Sequence, residues 1–219
     1  MQDLEKQQKI FKRLFLLLFS LLFLSLSLAF SIFFLIKFPD YNSSKLPVYG
    51  NVPEFTLINQ NGQNFSSKDL NGKIWVADFI FTNCGSSCPL MTLHMSELQK
   101  ALPKTWQVRL VSITVDPERD TPEVLSQYAN NYGADTNLWY FLTGDRQTIV
   151  HLAQDGFHLG VGEVTYSRTN VNKDEILHSI KFVLVDQKGQ IRGYYNGTEK
   201  ELVENILHDI KKLRKNAAT

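Results

Sequence analysis

Apolar positions fall along this chain in three rhythms, and each predicts a different kind of element. Residues 14–36, LFLLLFSLLFLSLSLAFSIFFLI, carry no charge over 23 positions, enough helix to cross about 30 Å of hydrocarbon. Residues 74–81, IWVADFIF, and 108–115, VRLVSITV, are almost continuously apolar and rich in β-branched residues, which predicts strands buried on both faces. Residues 138–142 predict a third strand. Elsewhere the apolar residues recur at helical spacing. Met91, Met95, Leu98 and Leu102 form the stripe of a helix opened by Pro89, and Leu202, Ile206, Ile210 and Leu213 that of a last helix over 198–215. Two further helices are expected over 121–132, with Pro122 in its first turn, and over 146–155. Strands alternating with helices predict an α/β fold with a parallel core sheet covered on both faces.

Turn residues divide the remainder. Residues 55–58, then Asn61-Gly62, then Phe65 predict a small hairpin, and 180–186, Lys188-Gly189 and 190–195 predict an antiparallel one near the end. Residues 37–51 contain Pro39, Pro47, Gly50 and Asn42-Ser43-Ser44 without any apolar period, the composition of a tether. The expected organisation is a short N-terminus over 1–13, a transmembrane anchor over 14–36, the tether over 37–51 and one folded domain over 52–219.

Charge adds a direction. With 23 basic and 22 acidic residues and a net charge of +1, nothing points to nucleic acid. Lys6, Lys9, Lys12 and Arg13 precede the apolar run, whereas only Lys37 and Lys45 follow it closely, so the N-terminus is expected in the cytoplasm and the domain outside. The run exceeds the core of a signal peptide and lacks a small-residue cleavage site. Asp3 and Glu5 are out of place in a mitochondrial presequence, and no cysteine stands near the membrane to take a lipid. The expected location is a bacterial cytoplasmic membrane, with the domain on its outer face, where cysteines can be oxidised, reduced or metal-bound.

The only cysteines, Cys84 and Cys88, stand in FTNCGSSCP, where a buried strand gives way to a helix whose dipole favours thiolates. A structural disulfide across so few residues would constrain the unfolded chain little. Two thiolates suit copper or zinc but are too few for a closed zinc site, so a metal needs another donor. Of five histidines, His94, His151 and His208 lie on helices, where packing or surface roles suffice. His158 and His178 bracket a long aperiodic segment of the kind that is commonly functional. His178 directly precedes a strand and is the stronger candidate; His158 is the weaker.

The order hairpin, strand, F-T-x-C-x-x-x-C-P, helix, strand ending V-D-P-E-R-D-T, then L-H-S-I-x-F-V-L-V-D resembles the Sco/SenC proteins, membrane-anchored members of the thioredoxin-like fold. The likeness covers most of the chain from Val52 to Lys212. It implies a central mixed sheet flanked by helices, and one copper ion, Cu(I) or Cu(II), bound by Cys84, Cys88 and His178. It further implies a copper metallochaperone for the binuclear Cu-A centre of cytochrome c oxidase subunit II or a similar apo-cuproprotein, served by a thiol reductant. The alternative from another class is a thiol-disulfide oxidoreductase with Cys84 and Cys88 as its redox pair; a thiol peroxidase is a third reading. No proline follows Pro122, so His178-Ser179 stands where thioredoxins carry a cis-proline. The loop interior, Gly85-Ser86-Ser87, lacks the acid many family members have. Asp116 and Asp120 read equally well as ligand-orienting groups and as an ordinary turn and helix start.

Overall fold

A computed structural model describes residues 2–37, 45–159 and 179–217, and the chain divides into two units, Met1–Ser44 and Lys45–Thr219. In the first unit, helix α1 spans Gln2–Lys37. Among the described residues no helix is long and apolar enough to cross a membrane, so the single span expected over 14–36 is not established by the structure.

The second unit is built on one eight-stranded sheet in the order β1-β8-β7-β4-β5-β6-β2-β3. Strands β4 (Trp75–Ile80), β5 (Arg109–Thr114) and β6 (Trp139–Thr143) run parallel at its centre. All six residues of β4 are buried, as expected of a strand covered on both faces. The outer strands are antiparallel, so the sheet is mixed rather than wholly parallel. On one side, β2 (Thr56–Asn59) and β3 (Asn64–Ser66) form the first hairpin, with Gly62 at φ 74° in its turn. On the other, β7 (Lys181–Val185) and β8 (Gln190–Asn196) form the second, turning at Gly189, φ 74°. Both turns need the left-handed backbone that glycine adopts without strain.

Strand β1 (Gly50–Asn51) adds an eighth element at the edge of β8. The compact unit thus begins at Lys45 and takes in residues that by composition read as tether.

Helices cover the sheet where their stripes demand it. Helix α2 (Cys88–Ala101) buries Met91, Met95 and Leu98, and α5 (Leu202–Ala217) buries Leu202, Ile206, Ile210 and Leu213. Helix α3 (Pro122–Asn131) is capped by Thr121, whose hydroxyl accepts from the Val124 amide. Helix α4 (Arg146–His151) ends sooner than its pattern suggests and passes into a π-turn over Leu152–Gly156. That turn seats Phe157 edge-on to Trp75 and Phe79 beneath the sheet.

Candidate metal centre

Strand β4 ends at Ile80, and the chain turns through the cysteine loop into α2, whose first residue is Cys88. What holds the loop in place is Asp120. Its carboxylate, 1% exposed, accepts a hydrogen bond from the Thr82 amide at 3.1 Å and others from the Thr82 and Thr114 hydroxyls. Thr82 stands two residues before Cys84 and Thr114 closes β5, so one acid ties the ends of two parallel strands at the point where the loop departs. The Cys84 amide in turn donates to the Phe81 carbonyl at 3.3 Å. Asp116 acts only locally, its carbonyl accepting from the Arg119 and Asp120 amides and its carboxylate from Arg119 at 3.0 Å. The two acids, indistinguishable in sequence, therefore part company. Replacing Asp120 by alanine strands three donors at a buried site, and a loss of on the order of 3 kcal/mol is expected. Urea unfolding checks it, and a loss under about 1 kcal/mol would remove Asp120 from this role.

Cys84 and Cys88 are both free thiols, and both are buried. The expectation that the helix end favours both thiolates is corrected by their surroundings. Burial works against ionising Cys84, yet hydrogen bonds from the Cys88 backbone and thiol and from the Ser86 and Ser87 backbone outweigh it and bring it below the ordinary thiol value. Cys88 goes the other way. Burial first, then the hydrogen bond it donates to Cys84 and the charges of Cys84 and Asp78, push it up to about 12 against an opposing bond from the Phe81 backbone. The pair thus gives up its first proton from Cys84 and keeps the second. The loop interior serves Cys84 through its backbone, which serine supplies as well as any acid-bearing residue.

Sequence reasoning missed Asp78. It lies fully buried in β4, accepts from Ser112 Oγ at 2.6 Å, and Ser112 in turn accepts from Trp139 Nε1 at 2.9 Å. Its other oxygen has no partner among the described residues. Burial raises its acid up to about 7, against the lowering effect of Ser112 and its own backbone. The signal was there: a lone acid inside IWVADFIF.

The histidines separate cleanly. His94 Nδ1 donates to the Gly197 carbonyl at 2.9 Å, which ties α2 to the chain after β8. His151 pairs with Asp155 at the surface. His158 lies against Gly50, and the register Gly50↔Ile191, Ile191↔Val185, Val185↔Trp75 aligns Gly50 with the start of β4. The cysteine loop leaves from the other end of that strand, so His158 is no ligand. His178 lies outside the described residues, and among those described no three His, Cys, Asp or Glu side chains gather as a ligand set.

A mixed sheet bearing an unequal dithiol between its central strand and the following helix defines a thioredoxin-like protein of the thiol- or metal-handling class. Residues 47–215 match the SCO1/SenC family model, and the chain belongs to the Sco/SenC family. It is similar to the SCO1 protein homolog of Bacillus subtilis, 40% identical over 169 residues, 76% of this chain and 84% of that one. Among solved structures it is similar to BsSco, reported with a disulfide switch as a member of the Sco family of cytochrome c oxidase assembly proteins. That likeness has 37% identity and a TM-score of 0.65, over 77% of this chain and 97% of that one. It is also similar to copper-bound ScoI of Bradyrhizobium japonicum, at 25% identity and a TM-score of 0.59, over 74% and 99%.

Proposed function

We propose that this protein carries copper to the Cu-A centre of cytochrome c oxidase subunit II, held on the thiolates of Cys84 and Cys88 and the imidazole of His178. The observation that carries the reading is the pair of free, adjoining thiols on one loop, a soft donor set suited to copper. Asp78 pairs with Phe182, so Ser179 and Ile180, which lead into β7, run past the end of β4 from which the cysteine loop departs. His178 is the next residue back along the chain. Three ligands leave coordination open, and the ion passes on by ligand exchange with a docked apo-protein.

A second reading is favoured by the unequal cysteines. The Cys84 thiolate attacks a disulfide of the oxidase subunit, forming a mixed disulfide and releasing one partner thiolate. Cys88, once deprotonated, attacks the Cys84 sulfur, which closes Cys84-Cys88 and releases the second. The partner gains two electrons, and an external thiol reductant restores the pair. The two readings are compatible, because a disulfide cannot bind copper and reduction must come before loading. One copper per chain is expected on the reduced protein and none on the oxidised form. Metal analysis and absorption spectroscopy measure it, and equal uptake by both forms would exclude the cysteine site.

We further propose that α1 anchors the domain in a bacterial cytoplasmic membrane, with the N-terminus inside. Large apolar side chains from Leu14 to Ile32, where described, stand exposed around it, and a helix apolar all round calls for an apolar surrounding. The hydroxyls of Ser20 and Ser25 donate back to the Leu17 and Leu22 carbonyls at 2.9 and 2.8 Å, which satisfies them without water. Alkaline extraction of membranes tests this: release of the intact chain into the supernatant would sink it.

A further inference from the structure

The residues just ahead of the first hairpin are fastened to the domain in a way their composition does not suggest. Gly50 and Asn51 pair with Ile191 and Gln190, and the Tyr49 and Val52 amides donate to the Ile191 and Gly189 carbonyls, each at 2.9 Å. Arg192 then reaches two places at once. Its Nε donates to the Pro47 carbonyl at 2.8 Å and its Nη2 to that of Leu46, while Nη1 donates to Asp186 Oδ2 at 2.6 Å. The other oxygen of Asp186 accepts from the Lys188 and Gln190 amides at 2.9 and 3.0 Å. One ion pair, with side chains only 14% and 6% exposed, therefore serves both the β7–β8 turn and the segment laid beside it. The Tyr49 ring meets Tyr194 edge-on at 5.4 Å. His158, left-handed at φ 52°, fills the space that a side chain on Gly50 would need, since a Cβ there would lie 2.7 Å from its Nε2.

Leu46 and Val52 pack partly buried against the core, but the rest of the segment faces outward. Lys45, Pro47, Val48 and Tyr49 are exposed, and the strand has only two residues. A segment held by polar contacts over so little buried area opens at a free energy well below that of global unfolding. Closure then turns on Arg192, whose planar fork serves two carbonyls and a carboxylate together, as a lysine ammonium cannot.

We propose that residues 45–52 are a latched strap, that Arg192 seated on Asp186 is the latch, and that opening it moves the point where the chain leaves the domain from Lys45 to Pro53. The eight residues released add up to about 28 Å of reach, so a domain tethered to a membrane has two lengths of leash for meeting a membrane-bound partner. That consequence rests on the reading of α1 as an anchor; the latch itself does not.

Hydrogen exchange by mass spectrometry, on the full chain in lipid nanodiscs, tests the latch with Arg192→Gln and Arg192→Lys. Amides within 46–52 are expected to exchange about tenfold faster in Arg192→Gln, as loss of a charge-assisted bond implies, and at an intermediate rate in Arg192→Lys, while β4 and β5 keep the parent's rates. Unchanged exchange at 46–52, or acceleration that spreads into β4 and β5, would overturn it. Energy transfer from a fluorescent protein fused to the C-terminus to a dye in the bilayer reads the reach, and should fall in Arg192→Gln. Equal transfer in chains that stay in the discs would overturn the lengthening. Loss of the chain from the discs would overturn the anchor, and the exchange result would still decide the latch.

Discussion

Replacement of His178 by alanine is expected to weaken copper binding by at least about tenfold to a hundredfold, the loss that even outer-shell changes around a metal commonly bring. Disulfide formation between Cys84 and Cys88 should persist, because a dithiol exchanges disulfides without an imidazole whereas a three-donor copper site loses a strong ligand. Competition titration of the reduced variant measures the first effect, and thiol counting after oxidation the second. Both leading functions need the cysteines, so this residue is where they diverge. A variant that loses copper and still sustains oxidase assembly at limiting copper would assign the protein to thiol reduction. A variant that binds copper as tightly as the parent would remove His178 from the ligand set; His158 is not its replacement, since it lies against Gly50 at the far end of β4 from the cysteine loop.

The second large effect concerns Asp78 and pH. Its acid is raised from 3.8 to about 7 in the folded chain, so the fold favours the protonated form. The contribution is fully present below about pH 4 and is lost as pH rises through about 7. At 1.36 kcal/mol per pK unit, the whole window amounts to about 4 kcal/mol. Asp78→Asn should abolish this slope. The amide keeps an acceptor for Ser112 but places an N–H where the unpartnered oxygen stood, at a cost of about 1–3 kcal/mol. The variant is therefore expected to be less stable than the parent at about pH 4 and below, and more stable above pH 8. Urea unfolding across that range shows the crossing, and parallel curves for the two proteins would mean that Asp78 is not protonated in the fold.

Most strands and helices of the second unit are legible from local pattern, the two-residue β1 and the early end of α4 excepted. A strand buried on both faces must be apolar throughout, as IWVADFIF is but for one residue, and a helix packed on one side must repeat its stripe, as Met91, Met95 and Leu98 do. The two hairpins were equally legible, since Asn61-Gly62 and Lys188-Gly189 state their turns in adjacent residues. The cysteine pair and its place between strand and helix needed no more than that. Which distant groups meet is settled only when the sheet assembles. Asp120 became the anchor of the cysteine loop and Asp116 a turn former because β4 and β5 lie side by side, which no spacing along the chain reveals. The inequality of Cys84 and Cys88 follows from burial and from which backbone amides point at each sulfur, and it reverses what the helix dipole suggested for Cys88. The residues read as tether were drawn into the sheet by Arg192, about 145 residues away in sequence. His158 was removed from the site by register alone. Local pattern is set by the short-range sterics and burial period of each element, whereas a site is set by pairings across the sheet, and those are fixed only when the whole core closes.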